Sequence, residues 1–327
     1  MSGTGEFEAK ANEVGRMIEG DRGVLAAIAR AHYIDELSRT EIAEMLGMSR
    51  FKVSRLLTRA REEGIVSIRI NDSGLPDPVL AERLKSELGL EHCDVIRTFG
   101  DGDSARQQIG ASAATLLSST LRENEVLGVS WGRTLTATAQ QLEYLPRLSV
   151  VQLTGFVAGD LAASPIEVVR HTSAKSGGDV HPIFAPLFVQ DVETAEGLRK
   201  HPDIHAAMAL FPRVTTALLS VGSWEPPDTQ VRDVLAIDDL AAAISGGCVA
   251  DIAGILITGE GQPVDTDLQK RSIAIFYDQL RNVPRVIAVA GGASKARAIR
   301  TVARAGLITE LVTDHELALA ILGDARA

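Results

Sequence analysis

The stretch SRTEIAEMLGMSRFKVSRLLTRAR, residues 38–61, carries the start and stop signals of two short helices joined by a tight turn. Ser38 and Glu41 have the spacing of a capping box, in which each side chain satisfies a free backbone N–H of a starting helix. Gly47 is suited to end that helix, because glycine adopts the left-handed conformation without steric cost. Ser49 can cap a second helix, whose apolar residues recur at the spacing of one buried stripe. These residues are Val53, Leu56, Leu57 and Ala60.

The second helix is strongly basic, since five basic residues and no acidic residue occur from Ser49 to Arg61. A basic helix face is often only solvated, but here the caps, the turn and the apolar stripes agree. The pattern is typical of a helix-turn-helix, whose second helix enters the major groove of DNA. We expect residues of its first two turns to reach base edges, and later ones to contact phosphates. The first set is Ser49, Arg50, Lys52 and Arg55, and the second is Arg59 and Arg61.

The composition is that of a globular protein long enough for two or more domains. The 327 residues are 45% hydrophobic and 23% charged, with a formal net charge of −10. A negative total argues against a nucleic-acid partner, but residues 1–70 hold 11 basic and 11 acidic residues, so the whole deficit lies beyond them. Cys93 and Cys248 lie far apart without a CxxC pair, which suggests neither a disulfide framework nor a zinc site.

The sequence shows no sign of a membrane or secretory segment. No apolar run approaches the ~20 residues of a membrane span. The first ten residues, MSGTGEFEAK, lack the apolar core of a signal peptide. We therefore expect a cytoplasmic protein.

Turn-forming residues indicate the domain boundaries. Residues 1–20 are polar and predict a flexible N-terminal segment, and residues 21–70 the DNA-binding domain. Within that domain, residues 24–37 have the pattern of a supporting helix, and IVSIRI, residues 65–70, that of a strand forming a small wing. NDSGLPDP, residues 71–78, predicts a linker, and residues 79–327 a second domain.

In the second domain apolar runs alternate with helical patterns. The predicted strands are residues 93–99, 126–131, 148–154, 216–222, 251–258, 285–291 and 310–313, and the predicted helices are residues 104–121, 134–142, 164–175, 295–305 and 315–322. Near-continuous apolar strands separated by helices predict a doubly wound, mostly parallel α/β sheet covered on both faces. In such a sheet ligands bind at the carboxyl ends of the strands.

Three predicted strand ends carry residues suited to a small polar ligand. GVSWGRTL, residues 128–135, leads into a helix whose first N–H groups suit an anion, with Arg133 and Thr134 as further donors. VAGGASKAR, residues 289–297, contains two glycines and Lys295, a point charge suited to phosphate. QLTG, residues 152–155, is the third. Glycines at strand ends are often only turn formers, but cations at two such ends favour an anionic ligand.

An enzymatic alternative comes from GVSWG, which fits the GxSxG nucleophile elbow of the α/β-hydrolases. Ser130, Asp251 and His315 even follow the chain order of that family. Against this alternative, His315 directly follows Asp314, a predicted helix cap, and no HGGG-type oxyanion loop lies upstream. The sequence contains neither GxGxxG nor GxxxxGK[ST], so no nucleotide cofactor is predicted.

Taken together, these motifs resemble those of the SorC family of bacterial transcriptional regulators, from about Val24 to Leu322. The shared motifs are TEIAEMLGMSRFKVSRLLTRAREEGIVSIRI, GVSWGRTL, VVQLTG, GGCVADI, RSIAI, VIAVAGGASKARAI and LVTD. The resemblance implies a sugar-binding and oligomerisation domain, similar to sugar-phosphate isomerases, that has lost isomerase activity. It also implies a sugar or sugar-phosphate effector and a dimeric or tetrameric assembly. A palindromic operator follows from two-fold symmetry.

The resemblance also implies an effector site, which gathers residues of the three strand-end loops and of VADI. The residues are Gly128, Ser130, Gly132, Arg133, Thr134, Thr154, Gly155, Asp251, Gly291, Gly292 and Lys295. One departure is that Phe156 follows Gly155 where the family often has a second glycine. We expect a regulator without enzymatic activity, cofactor or metal. The alternatives are the hydrolase using Ser130 and an active sugar-phosphate isomerase, for which Asp251 is the one base that can be named.

Overall fold

A computed structural model describes residues 22–66, 74–157 and 164–323. Contacts divide the chain into two compact units, with the boundary between Ile70 and Asn71. The predicted N-terminal segment, residues 1–20, lies outside the described residues, as do residues 67–70 of the predicted wing strand.

The first unit contains three helices around a small apolar core. They are α1 (Arg22–Tyr33), α2 (Arg39–Met45) and α3 (Arg50–Glu62). The capping box is formed: Ser38 Oγ accepts from the N–H of Glu41 at 3.2 Å, and Glu41 Oε2 accepts from the N–H of Ser38 at 2.8 Å. Gly47 takes a φ of 61° at the turn, and Ser49 caps α3. The buried stripe of α3 packs on α1 and α2 through Leu25, Ile28, Ile42, Val53, Leu56, Leu57 and Ala60.

Helix α1 ends earlier than its apolar pattern predicts. It stops at Tyr33 rather than at residue 37, and Glu36 takes a φ of 57°, which no helix accommodates. This left-handed residue turns the chain toward Ser38, so that α2 can begin there. The apolar pattern continued through the turn and therefore did not reveal it.

The second unit contains two sheets. Its strands are β1 (Leu75–Pro76), β2 (His92–Arg97), β3 (Val126–Val129), β4 (Ser149–Gln152), β5 (Val180–His181), β6 (Thr216–Leu219), β7 (Val221–Trp224), β8 (Pro227–Asp228), β9 (Cys248–Ile252), β10 (Ile255–Thr258), β11 (Arg285–Ala290) and β12 (Glu310–Asp314). Eight form one sheet in the order β1-β2-β12-β11-β6-β3-β4-β5, in which every pair is parallel except β1 with β2. The other four form an antiparallel sheet in the order β10-β9-β7-β8.

Helices connect these strands. They are α4 (Pro78–Leu88), α5 (Gly102–Thr120), α6 (Arg133–Gln141), α7 (Pro165–Ser176), α8 (Val192–Lys200), α9 (Pro202–Met208), α10 (Val231–Val234), α11 (Ile237–Ser245), α12 (Tyr277–Arg281), α13 (Ala296–Arg304) and α14 (His315–Leu322), with short 3-10 turns at Phe211–Arg213, Asp267–Gln269 and Ala293–Lys295. Alternate residues of the parallel strands enter two separate cores, such as Leu127 and Val129 in one and Val126 in the other. The predicted mostly parallel sheet with both faces covered is confirmed.

Two predicted strands each prove to be two strands. Residues 216–222 contain β6 and the start of β7, because the chain leaves the parallel sheet at Ser220 and enters the antiparallel one. Residues 251–258 contain parts of β9 and β10, which form a hairpin whose turn residues Ala253 and Gly254 have φ values of 50° and 79°. The residues on both sides of each break are apolar, so the sequence pattern runs through unbroken.

The predicted linker at residues 71–78 differs from the structure in its second half. Leu75 and Pro76 pair with Arg97 and Ile96, and Asp77 caps α4 by accepting from the N–H of Leu80 at 3.1 Å. Turn-forming residues here start a strand and a helix of the second unit. Residues 71–73 lie outside the described residues.

Candidate DNA-reading helix and candidate effector cleft

The basic residues predicted to contact DNA lie on the surface of α3. The side chains of Arg50, Arg55 and Arg61 are exposed, and those of Lys52 and Arg59 are half-buried. Arg59 Nε lies 2.5 Å from Glu63 Oε1, and this ion pair offsets part of the charge at the end of the helix. The apolar stripe faces the core of the first unit, so the basic side chains lie on the opposite, polar side of α3.

A cleft of about 910 Å³ opens at the carboxyl ends of the parallel strands. The loops after β2, β3, β6 and β11 line it, together with the end of β12 and residues of the antiparallel sheet. After β3 the chain proceeds to β4 and β5 on one side, whereas β6, β11 and β12 lie on the other. The cleft therefore lies where the strand order reverses, the usual position of a ligand site in a doubly wound sheet.

Seven of the eleven predicted effector residues line this cleft. They are Gly132, Arg133, Thr134, Asp251, Gly291, Gly292 and Lys295. Arg133 begins α6, whose N-cap residue Gly132 makes no side-chain cap. The first N–H groups of α6 therefore need acceptors from outside the helix. Sequence positions more than 150 residues apart thus meet at one edge of the sheet, as the strand-end argument requires.

The other four predicted effector residues do not line the cleft. Gly128 lies within β3, where a Cβ would come 2.6 Å from the Leu153 side chain. Ser130 is buried behind the cleft. Thr154 and Gly155 pack against a neighbouring segment, and a Cβ on Gly155 would lie 2.5 Å from the carbonyl oxygen of Pro186. These glycines are needed for close packing, which a sequence pattern does not distinguish from ligand contact.

Lys295 is engaged within the protein. Its Nζ donates to the carbonyl oxygen of Val221 at 2.7 Å and to that of Asp228 at 3.2 Å, and it lies 3.6 Å from Asp228 Oδ2. The side chain is only 17% exposed, and burial lowers the pKa of the ammonium group below its ordinary value. An ammonium group has three donors, so these contacts occupy the group that was expected to bind phosphate.

Asp251 is held by two donors. Its Oδ1 accepts from Trp224 Nε1 at 2.9 Å and from Thr229 Oγ1 at 2.6 Å. Burial raises the pKa of this carboxyl group. Gly222 lies against this carboxyl group, since a Cβ there would come 2.6 Å from Asp251 Cγ. The carboxylate thus fixes the loop after β8 beside the cleft.

Asp314, at the end of β12, lines the cleft but is not among the predicted effector residues. Its Oδ2 accepts from the N–H of Gly292 at 2.8 Å, and its Oδ1 accepts from the N–H of Leu317 at 2.8 Å. Burial raises the pKa of this carboxyl group as well. One backbone donor of the GGASK loop is therefore already occupied. The LVTD motif and its position at a strand end were the signals that could have identified it.

The charged lining of the cleft is mixed, with six acidic and four basic residues. They are Asp101, Asp228, Asp233, Asp251, Asp314 and Glu316, and Arg106, Arg133, Arg232 and Lys295. Asp228 ends the short strand β8, where the prolines of the sequence suggest only a turn, and no sequence pattern connects it with Lys295. The lining residues outside the predicted loops could be found only from the fold.

The three residues of the hydrolase alternative do not form a triad. Ser130 is buried, and its Oγ has no hydrogen-bond partner among the described residues. The His315 ring lies 3.8 Å from Asp77 Oδ2. Asp251 accepts from Trp224 and Thr229 instead. A nucleophile needs a base within hydrogen-bond reach, and these contacts leave Ser130 without one in the described structure.

Cys93 and Cys248 are buried free thiols, and burial raises the pKa of each to about 12. The described ranges contain no group of three or more His, Cys, Asp or Glu residues arranged to hold a metal ion. Nor does any helix in those ranges have the length and apolar character needed to cross a membrane.

Comparisons with known proteins match both units. The family model described as "Putative sugar-binding domain" matches residues 77–323, and a Crp-like helix-turn-helix domain matches residues 22–78. The erythritol catabolism regulatory protein EryD of Brucella abortus is 26% identical over 315 residues, covering 94% of this chain and 98% of that protein. The transcriptional regulator LsrR of Escherichia coli O139:H28 is 28% identical over 302 residues, covering 91% and 94%.

The fold has solved relatives. The crystal structure of the full-length sorbitol operon regulator SorC from Klebsiella pneumoniae has a TM-score of 0.70 and 23% identity, and the match covers 93% of this chain and 99% of that one. The structure described as "Probable sor Operon Regulator" from Shigella flexneri has a TM-score of 0.68 and 21% identity, and the match covers 75% of this chain and 98% of that one.

Proposed function

Because the chain belongs to the SorC family of DNA-binding transcriptional regulators, we propose that a sugar-like effector in the cleft controls its affinity for operator DNA. The observation that carries the proposal is the cleft of about 910 Å³ at the carboxyl ends of the parallel strands. It has the size of a small-molecule site and convergent polar groups. The helix-turn-helix unit supplies the DNA contact, and the α/β unit supplies the response.

The effector is an uncharged polyhydroxyl compound, either a polyol or a free sugar. Six acidic and four basic residues line the cleft, so its formal charge is negative and does not favour a phosphate group. Carboxylates accept hydrogen bonds from hydroxyl groups, and the N–H groups that begin α6 donate to hydroxyl oxygens. Hydroxyl groups satisfy both kinds of group, whereas the phosphate group of a sugar phosphate satisfies only the donors.

The cations of the cleft have protein partners. Lys295 bonds to two carbonyl oxygens and lies beside Asp228. Arg106 forms an ion pair with Asp103, and Arg232 donates to the carbonyl oxygen of Trp224 at 3.1 Å. Arg133 Nη2 lies 3.9 Å from Asp228 Oδ1. A phosphate would have to compete with these partners, which supports the uncharged effector over the phosphorylated one.

Thermal unfolding with matched pairs of ligands tests this proposal. Each sugar phosphate is compared with its dephosphorylated parent, alongside a panel of short polyols. We expect a parent sugar or polyol to raise the unfolding temperature and to change operator affinity measured by fluorescence anisotropy. Stabilisation by the phosphate alone would overturn the uncharged class, while leaving control by a sugar derivative in place.

A variant that fills the cleft locates the site. Ala105, on α5, lines the cleft, and Thr115 is an exposed residue of the same helix. Ala105→Phe should abolish the ligand-induced shift and leave operator binding without ligand unchanged, since the DNA-reading helix lies in the other unit. Thr115→Phe is the control and should respond as wild type does. Equal responses of the two variants would place the effector elsewhere.

The regulator acts without catalysis, in the cytoplasm, as a dimer or tetramer on a palindromic operator. Among the described residues Ser130 Oγ has no hydrogen-bond partner, which supports the first point, and assays with ester and sugar-phosphate panels should detect no turnover. One helix-turn-helix reads only a few base pairs, so that useful selectivity requires pairing. Light scattering that gave a monomer with and without operator DNA would contradict the assembly.

A further inference from the structure

Phe51, the second residue of α3, exposes 73% of its side chain. Single exposed apolar side chains are common on protein surfaces, so exposure alone decides nothing. What matters is where on the helix this ring lies and what surrounds it.

Helix geometry puts Phe51 at the centre of the outward face of α3. Successive residues are turned by about 100° around a helix axis. The buried stripe of α3 consists of Val53, Leu56, Leu57 and Ala60. Phe51 lies roughly opposite that stripe, with Arg55 and Thr58 on the same face one and two turns later, and both are exposed. Arg50 and Lys52 are turned by about 100° to either side.

The neighbours of Phe51 favour a polyanion over an apolar partner. The Arg50 guanidinium carbon lies 5.1 Å from the centroid of the Phe51 ring. Lys52 follows directly in the sequence, and Arg55 is on the same face. An apolar protein surface covering Phe51 would desolvate these cations without compensation. DNA offers phosphates to the flanking cations and base edges to the central ring.

We propose that Phe51 packs against the C5-methyl group of a thymine in the major groove and so specifies a T·A pair in the operator. Thymine alone among the four bases presents a methyl group there, and phenylalanine is one of the side chains that contact it. The first residues of a recognition helix are those that reach base edges. The inference rests on the proposed docking of α3 in the major groove. In this arrangement Phe51 and Arg55 contact bases, whereas Arg50 and Lys52, which the sequence predicted at base edges, contact phosphates instead.

Replacement of thymine by deoxyuridine removes only the methyl group and thus tests the contact directly. Operator duplexes are selected from a randomised library with the full-length wild-type protein, and each thymine is then replaced singly. We expect one position, with its symmetry mate, at which deoxyuridine weakens wild-type binding about fourfold, which corresponds to about 0.8 kcal/mol for one buried methyl-sized group. Phe51→Ala should bind the thymine and deoxyuridine duplexes equally.

Two controls separate the contact from other effects. Phe184 is 70% exposed in the second unit, so Phe184→Ala should keep the wild-type sensitivity to deoxyuridine. Phe51→Ala should also keep the salt dependence of binding, since phenylalanine neutralises no phosphate. Its unfolding temperature should be unchanged, because the ring lies outside the core of the first unit.

Three outcomes would overturn the inference. One is equal sensitivity of wild type and Phe51→Ala to deoxyuridine at every position. Another is a lowered oligomeric state of Phe51→Ala in light scattering, which would identify the ring as a contact between protein copies. The third is failure of the wild-type protein to select any duplex, and only that result would also reject the proposed DNA binding.

Discussion

Lys295 Nζ lies 3.2 Å from the main-chain carbonyl oxygen of Asp228 and 3.6 Å from its carboxylate oxygen Oδ2. The same nitrogen lies 2.7 Å from the carbonyl oxygen of Val221, at the start of β7. One largely buried cation thus joins β7, the strand that leaves the parallel sheet, to the end of β8. Its first role is to hold one wall of the cleft in place.

Replacement of this cation should therefore lower stability. Lys295→Met leaves two carbonyl oxygens without their donor, and an unsatisfied buried acceptor costs about 1–3 kcal/mol. Because water in the cleft can replace part of the lost interaction, we expect a loss at the low end of that range. Lys270 is exposed, so Lys270→Met is the control and should change the free energy of unfolding by no more than about 0.5 kcal/mol. Equal urea midpoints for the two variants would contradict the structural role.

Gly155 should prove to be a packing residue. A Cβ there would lie 2.5 Å from the carbonyl oxygen of Pro186 and 2.6 Å from that of Ala185, and backbone atoms of this kind cannot move aside cheaply. We expect Gly155→Ala to lower the unfolding temperature strongly. Gly197 lies in α8 with nothing within 4 Å of its Cβ position. Gly197→Ala should be neutral or stabilising by up to about 1 kcal/mol. A Gly155→Ala variant as stable as wild type would contradict the packing role and favour a ligand contact for Gly155.

The sequence predicted what local chemistry decides. The caps at Ser38 and Ser49 and the buried stripe of α3 depend on residues a few positions apart, and the strand-end loops follow from the alternation of strands and helices. The sequence pattern does not reveal the strand breaks at Ser220 and Ala253, because apolar residues continue on both sides. The contact between Lys295 and Asp228 could not be predicted either, since only the antiparallel sheet brings the two residues together. Sequence reasoning therefore located the cleft but did not reveal the contacts that Lys295 makes within the protein.

Two arginines of α3 should differ in their effect on DNA binding. Arg55 lies on the outward face beside Phe51, where a bidentate contact to guanine contributes about 1–3 kcal/mol of discrimination. Arg55→Ala should lose that selectivity between operator and random duplex. Arg61, near the end of the helix, should contact phosphate, so Arg61→Ala should weaken binding to both duplexes and reduce the salt slope by about 1. Anisotropy titrations at several salt concentrations distinguish the two, and unchanged selectivity of Arg55→Ala would show that α3 is docked differently.

Asp314 and Asp77 should influence stability in opposite directions as the pH changes. Burial raises the pKa of Asp314 above 3.8, so between pH 3.8 and this raised pKa the folded protein holds a proton that the unfolded chain has lost. Stability contributed by this group therefore falls as the pH rises through that window. The hydrogen bond from Leu80 and the ion pair with Arg97 lower the pKa of Asp77. Its contribution is present above pH 3.8 and is lost as the pH falls through the lowered value.

Urea unfolding of Asp314→Asn and Asp77→Asn across the acid range measures the direction of both pH dependences. The difference in unfolding free energy between wild type and Asp314→Asn should shrink as the pH rises from 3.8 toward neutrality. The difference between wild type and Asp77→Asn should grow as the pH rises through 3.8. Each difference cancels the titration of all other groups, and because asparagine also caps helices, neither variant removes the N-cap that these residues provide. A difference for Asp314→Asn that stays constant or grows with pH would show that the hydrogen bonds from Gly292 and Leu317 outweigh burial, and that this carboxylate is a preformed anion at the edge of the cleft.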